Sequence, residues 1–126
     1  MSREIIVAKN AGFCFGVKRA VDMAVKQDSK ISKAYTLGPL IHNQDAINDL
    51  QEKGIHAIHE ADIAKLGPTD TAIIRAHGVS PEVIKNIDET GAKIVDATCP
   101  YVSALQKKAK QYHRLGYQII IVGDKN

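Results

Sequence analysis

The sequence has no apolar run approaching the ~18 residues of a membrane-spanning helix, and Met1-Ser2-Arg3-Glu4 leads into only a short apolar stretch, not a secretory signal. A cytoplasmic location is expected on that basis, and there thiols stay reduced. Cysteine is scarce, with two in 126 residues. In a reducing compartment a pair of thiols serves metal binding or catalysis more often than a disulfide. An excess of one charge is also lacking. The net charge of +3 permits attraction to a small anion but is not the concentrated basic footprint of a nucleic-acid binder. There is no internal repeat, no low-complexity segment, no G-x-G-x-x-G dinucleotide fingerprint and no P-loop. The composition, 44% hydrophobic and 25% charged, is that of an ordinary soluble globular protein, in a length that suits one compact domain.

What is present is alternation. Ile5-Ile6-Val7-Ala8 reads as a buried strand. After Gly16, the apolar residues Val17, Ala20, Val21, Ala24 and Val25 recur at helical spacing, with Lys18, Arg19, Asp22 and Lys26 opposite them. A polar break over residues 28–33 separates that helix from a strand at Ala34-Tyr35-Thr36-Leu37. Gly38 to Asn43 turns the chain into a helix from about Gln44 to Lys53, with Gly54 as its left-handed stop. Ile55 to Ile58 is expected as a strand, Ala61 to Leu66 as a short helix, and Thr71 to Ile74 as a strand. A helix capped by Ser80, with Pro81 in its first position and Gly91 past its end, follows. Lys93 to Asp96 is a strand, Pro100 opens the longest helix, and Gln118 to Val122 is the last expected strand. That helix carries Val102, Leu105, Ala109, Tyr112 and Leu115 on one face and stops at Gly116. Strands that alternate with helices and read as continuous apolar runs predict an α/β fold with a mainly parallel sheet covered on both faces. The sequence ends at Asn126, immediately after an expected strand with no covering helix, and a truncation point is expected there.

In a parallel sheet the loops at the carboxyl ends of the strands bind ligands. Four such loops carry an unusual side chain: Cys14, His42, His77 and Cys99. Each precedes an expected helix N-terminus, whose free N–H groups and positive dipole end favour thiolates and hold phosphates. A thiolate pair beside anion-binding amides suits a soft metal together with a phosphorylated ligand. Plainer uses stand beside these. Either cysteine alone is as readily a small buried hydrophobe, and either histidine alone is more often a hydrogen-bonding loop residue. Arg75 either contacts phosphate or pairs with an acid at a strand end. His56 and His59 are expected to be exposed. The group Lys107, Lys108, Lys110 and Arg114 is expected to be the solvated face of its helix. Phe13 and Phe15 are either core residues or a hydrophobic wall beside a metal site.

At those loops the sequence resembles a known family. Ala11 to Val21 (AGFCFGVKRAV), Gly38 to Asn43 (GPLIHN), Arg75 to Val79 (RAHGV) and Asp96 to Val102 (DATCPYV) are similar to the motifs of 4-hydroxy-3-methylbut-2-enyl diphosphate reductase, the last enzyme of the non-mevalonate isoprenoid route. All four occur in the family's order, across less than half of the family's usual length. The resemblance implies one iron–sulfur cluster, [4Fe-4S], held by three cysteine thiolates with one iron open to the substrate's hydroxyl. Cys14 and Cys99 match the first two of those ligands, and the third is expected outside this chain. His42 and His77 match the two histidines that hold the substrate diphosphate. The implied reaction is reductive removal of an allylic hydroxyl, giving isopentenyl and dimethylallyl diphosphates, with ferredoxin or flavodoxin as electron donor. The implied fold is three α/β lobes around a cavity. Residues 1–15 supply an opening strand that joins the last lobe, residues 16–98 the first lobe, and residues 99–126 the start of the second. The family's His-Pro-Glu motif and later Ser-x-Asn contacts are absent from this sequence, so no catalytic acid is assigned within it and the chain alone is expected to be inactive. Two alternatives are a zinc-stabilised module, with Cys14, Cys99, His42 and His77 as ligands, and a metal-free phosphate-binding domain. The zinc reading lacks the tight ligand pairs of structural zinc sites.

Overall fold

The computed structural model describes residues 3–27 and 33–123. Among the described residues, five helical elements and four strands follow one another: α1 (Phe15–Val25), β1 (Ala34–Leu37), α2 (Gln44–Glu52), β2 (Ile55–Ile58), a 3₁₀ helix (Glu60–Lys65), β3 (Thr71–Ile74), α3 (Pro81–Glu89), β4 (Lys93–Asp96) and α4 (Pro100–Arg114). The strands form one parallel sheet in the order β2-β1-β3-β4. The α/β class and the parallel sheet are as the sequence predicts. The polar break expected over residues 28–33 lies, apart from Lys33, outside the described residues.

Turn chemistry sets the element ends. Asn43 caps α2 by accepting the Ala46 N–H at 3.0 Å, and Ser80 caps α3 by accepting that of Val83 at 3.3 Å, with Pro81 in the first turn. Gly54, Gly91 and Gly116 leave their helices with φ of +77°, +76° and +86°, the left-handed stops that glycine adopts without strain.

Because side chains alternate along each strand, the sheet builds two cores. On one face Ala20 and Ala24 of α1 and Leu50 of α2, with Leu40 and Ile41, pack on Ala34, Ile55, Ile73 and Val95. On the other face Ile63 and Leu66 from the 3₁₀ region and Val83 and Ile87 of α3 pack on Leu37, Ala72 and Ile74. Ile73, Ile74 and Ile87 are among the largest fully buried side chains. β3 is buried at all four positions, as a central strand covered on both faces must be.

Two expected strands do not form. Residues 5–8 and 118–122 are irregular, and Ile5, Ile6 and Val7 are 88%, 82% and 75% exposed, with Ile120, Ile121 and Val122 similarly open. An apolar run records a tendency to be buried but does not supply the neighbouring strand that a ladder needs, and among the described residues neither segment has one. The expected helix after β2 is a single 3₁₀ segment. α4 forms as predicted, but its expected apolar face is not buried. No residue of α4 falls in the core, and Leu105, Tyr112 and Leu115 remain exposed.

Candidate functional site

Parallel register puts the carboxyl ends of the strands on one edge: Leu37 pairs with Ile58, and Ile74 with Asp96. The chain leaves β1 toward β2 on one side and reaches β3 on the other, so β1 and β3 are adjacent at a topological switch point. The helices that follow them, α2 and α3, cover opposite faces of the sheet. The loops 38–43 and 75–80 therefore diverge, and a crevice opens where ligands bind in open α/β sheets. His42 stands on the first loop and His77 on the second, and both are exposed.

The cysteine loops meet beside this crevice. Cys14 is the N-cap residue of α1 and Cys99 that of α4, and neither side chain makes a capping hydrogen bond. Both thiols are free, Cys14 exposed and Cys99 partly buried against the first core. Gly16, the second residue of α1, is in direct contact with Cys99. A Cβ at Gly16 would lie 2.7 Å from the Cys99 sulfur and 2.9 Å from its Cβ, closer than atoms approach. Two further contacts join the same loops. Arg19 donates to the Thr98 carbonyl at 3.3 Å, and the rings of Phe15 and Tyr101 meet edge to face at 6.3 Å. Cys99 is held from its own side as well. Its N–H donates to the Ala76 carbonyl at 2.9 Å, and the Asp96 carboxylate accepts the N–H of Thr98 at 2.9 Å and its hydroxyl. The Cys99 loop is thus tied to the loop that carries His77.

A cleft of about 760 Å³ runs from His77 and Ser80 to Asp96, Ser103, Gln106, Lys107 and Lys110. Lys107, Lys108, Lys110 and Arg114 are exposed, as expected of a solvated helix face, and His56 and His59 are exposed too. Phe13 and Phe15, at 49% and 61% exposure, are not part of the two cores. Among the described residues no group of three or more histidine, cysteine or acidic side chains is gathered tightly enough to hold a metal ion. The tetrahedral arrangement of Cys14, Cys99, His42 and His77 is therefore not formed. What the contacts do join is the Cys99 loop to the start of α1 on one side and to the loop that carries His77 on the other. Sequence reasoning missed the contacts between Gly16 and Cys99 and between Gly38 and Arg75. A glycine in the first turn of an otherwise good helix was the available signal for the first.

This is a parallel α/β unit with two cysteines and two histidines on loops at one edge of its sheet. The model of the LytB protein family matches residues 5–126, and the chain belongs to that family. It is 53% identical over its whole length to the 4-hydroxy-3-methylbut-2-enyl diphosphate reductase of Clostridium perfringens strain 13, of which it covers 45%. It is 45% identical over 98% of its length to the Caldanaerobacter subterraneus reductase, covering 43% of that protein. A solved structure of (E)-4-hydroxy-3-methyl-but-2-enyl diphosphate reductase, the terminal enzyme of the non-mevalonate pathway, superposes with a TM-score of 0.84 at 44% identity over 97% of this chain and 43% of the other. The Plasmodium falciparum enzyme superposes with a TM-score of 0.82 at 28% identity, covering 94% of this chain and 37% of that one. The chain thus spans less than half the length of the relatives it matches. No helix among the described residues is long and apolar enough to cross a membrane.

Proposed function

We propose that this chain contributes the first lobe and half of the active site of a cytoplasmic 4-hydroxy-3-methylbut-2-enyl diphosphate reductase. Family membership and the printed names of the relatives support the activity. The observation that carries the site is the packing of Cys99 on Gly16, which brings two otherwise unengaged thiols to the starts of α1 and α4. That donor set fits two of the three thiolates of a [4Fe-4S] cluster, the third coming from sequence beyond this chain. When bound, such a cluster supplies electrons and an open Lewis-acidic iron to a poor leaving group. The overall change breaks the allylic C–O bond with two electrons and two protons, and the oxygen leaves as water. The electrons come from ferredoxin or flavodoxin.

The chain's own residues bind and orient. His42 and His77, from loops on either side of the switch point, offer N–H donors to the diphosphate, with the α2 and α3 N-termini adding dipole and amide donors. Held from two loops, the diphosphate loses the freedom that would let the allylic end swing away. Phe15 and Tyr101 cover the cysteine side with apolar surface. Within the reading, residues 16–98 form the first lobe, residues 1–15 pair with the last, and residues 99–126 begin the second.

Anaerobic reconstitution of the complete protein carrying this chain, with iron and sulfide, tests the assignment. Bound iron and labile sulfide, with reduction of the hydroxylated diphosphate by a low-potential donor, are the expected result. Stoichiometric zinc without sulfide would overturn it. Replacing His42 by alanine should weaken diphosphate affinity by about 10- to 100-fold, the worth of a charge-assisted hydrogen bond. Iron content should be unchanged, and titration with inorganic pyrophosphate reads the difference. An unaltered affinity would remove His42 from the site.

A further inference from the structure

Arg75 opens the loop that carries His77, and its side chain reaches the root of the loop that carries His42. Its Nη1 lies 2.8 Å and its Cζ 3.5 Å from where a Cβ on Gly38 would stand. Gly38 has φ of +73°, so this position favours glycine for its backbone, and the Arg75 guanidinium rests over the open side. The same glycine is held from its own strand level. Its N–H donates to the Ile58 carbonyl at 2.9 Å, and its carbonyl accepts the Thr36 hydroxyl at 2.9 Å. On the other side of the crevice the Arg75 carbonyl accepts the Gly78 N–H at 2.9 Å, closing the turn around His77.

One residue therefore spans the switch point, its backbone fixing one histidine turn and its side chain resting on the base of the other. Two features separate this from an ordinary strand-end ion pair. No carboxylate pairs with Arg75 among the described residues, whose ion pairs are Lys18–Asp22, Lys65–Asp62 and Lys85–Glu89. Its Nε is buried without a hydrogen-bond partner among those residues, a condition that native structures rarely leave unexplained. A planar, always-charged guanidinium keeps its shape and donor geometry where it rests on the glycine, which a lysine ammonium on a flexible stem does not.

We infer that Arg75 is a positioning residue that sets the separation of the His42 and His77 loops, and so the fit of the diphosphate between them. The inference rests on the reading of those histidines as diphosphate ligands. The test is titration of inorganic pyrophosphate into the cluster-loaded complete protein, comparing wild type with Arg75→Lys, Arg75→Ala, His42→Ala and the His42→Ala/Arg75→Ala double variant. Arg75→Lys should lose about 10- to 100-fold in affinity although the charge is kept, the scale of a small misplacement of binding groups. Iron content should stay at the wild-type level. In the His42→Ala background, loss of Arg75 should have little further effect, because its influence passes through that loop. Wild-type affinity in Arg75→Lys would overturn the inference in favour of simple charge attraction. A full additional loss in the double variant would overturn it in favour of independent contact with phosphate. If Arg75→Ala fails to fold, Arg75→Lys still decides. Wild-type affinity in His42→Ala would sink the underlying site reading, and this inference with it.

Discussion

Serine in place of Cys99 in the complete protein is expected to abolish cluster retention while leaving the fold intact. The change is one atom, sulfur to oxygen, at the N-cap of α4. No hydrogen bond that holds the loop uses the thiol: the Cys99 N–H to Ala76, the Asp96 carboxylate to Thr98 and the Arg19 bond to the Thr98 carbonyl all remain. Serine is also a good N-cap residue, so the local helix start is not the weak point. The stability cost should be about 1 kcal/mol, typical of a single substitution at a partly buried position. What is lost is a soft thiolate donor, and a hard alcohol oxygen does not replace it toward an iron–sulfur cluster. Iron and labile sulfide per chain should fall to background, with far-ultraviolet circular dichroism and the melting temperature of the metal-free form little changed. Retained iron at the wild-type level would remove Cys99 from the ligand set.

The second large effect is at a residue with no chemistry of its own. Alanine at Gly16 would place a Cβ 2.7 Å from the Cys99 sulfur and 2.9 Å from its Cβ. Both contacts lie between secondary-structure starts, and a short cysteine side chain cannot swing aside like the end of a long one. Overpacking of this kind costs about 1–3 kcal/mol, and the roughly 1 kcal/mol by which alanine outdoes glycine in a helix interior offsets only part of it. The remainder must appear as movement of the β4–α4 loop, and with it the thiol. Turnover in the loaded protein should fall about 100-fold, as expected when a reacting group is misplaced by about an ångström. Chemical denaturation of the metal-free form should also show lower stability. Combining Gly16→Ala with Cys99→Gly removes both clashing atoms and should restore that stability, though not iron binding. A Gly16→Ala protein with wild-type stability and turnover would mean that the close approach has no role.

The parts of this fold that could be read from sequence are those decided locally. Ser80 and Pro81 mark the start of α3, Gly54 and Gly91 end their helices, and the unbroken run Thr71 to Ile74 identifies a strand buried on both faces. The order of the strands was not legible, because β1 and β3 become neighbours only through packing on two faces at once. The same holds for the crevice. His42 and His77 are conspicuous as residue types, but their placement across a switch point depends on α2 and α3 choosing opposite sides. At residues 5–8, at 118–122 and on α4 the pattern registered apolar character, but among the described residues nothing covers those segments. Gly16 and Gly38 carry no pattern, since what they accommodate is a side chain far away in sequence.

The exposed end segments have a consequence in time. Ile5, Ile6 and Val7 leave the ribosome before any strand of the sheet, yet in the folded lobe they remain 75–88% exposed. The four strands between Ala34 and Asp96 are joined by short local crossovers and can close on one another as soon as they emerge. The order of synthesis is thus not the order of burial. This segment is made ahead of the sheet and stays open once the sheet has closed, and an open apolar surface of this kind is adhesive. Cys14 sits a few residues from that segment and is itself exposed, so this thiol shares its lack of shelter while the sheet forms.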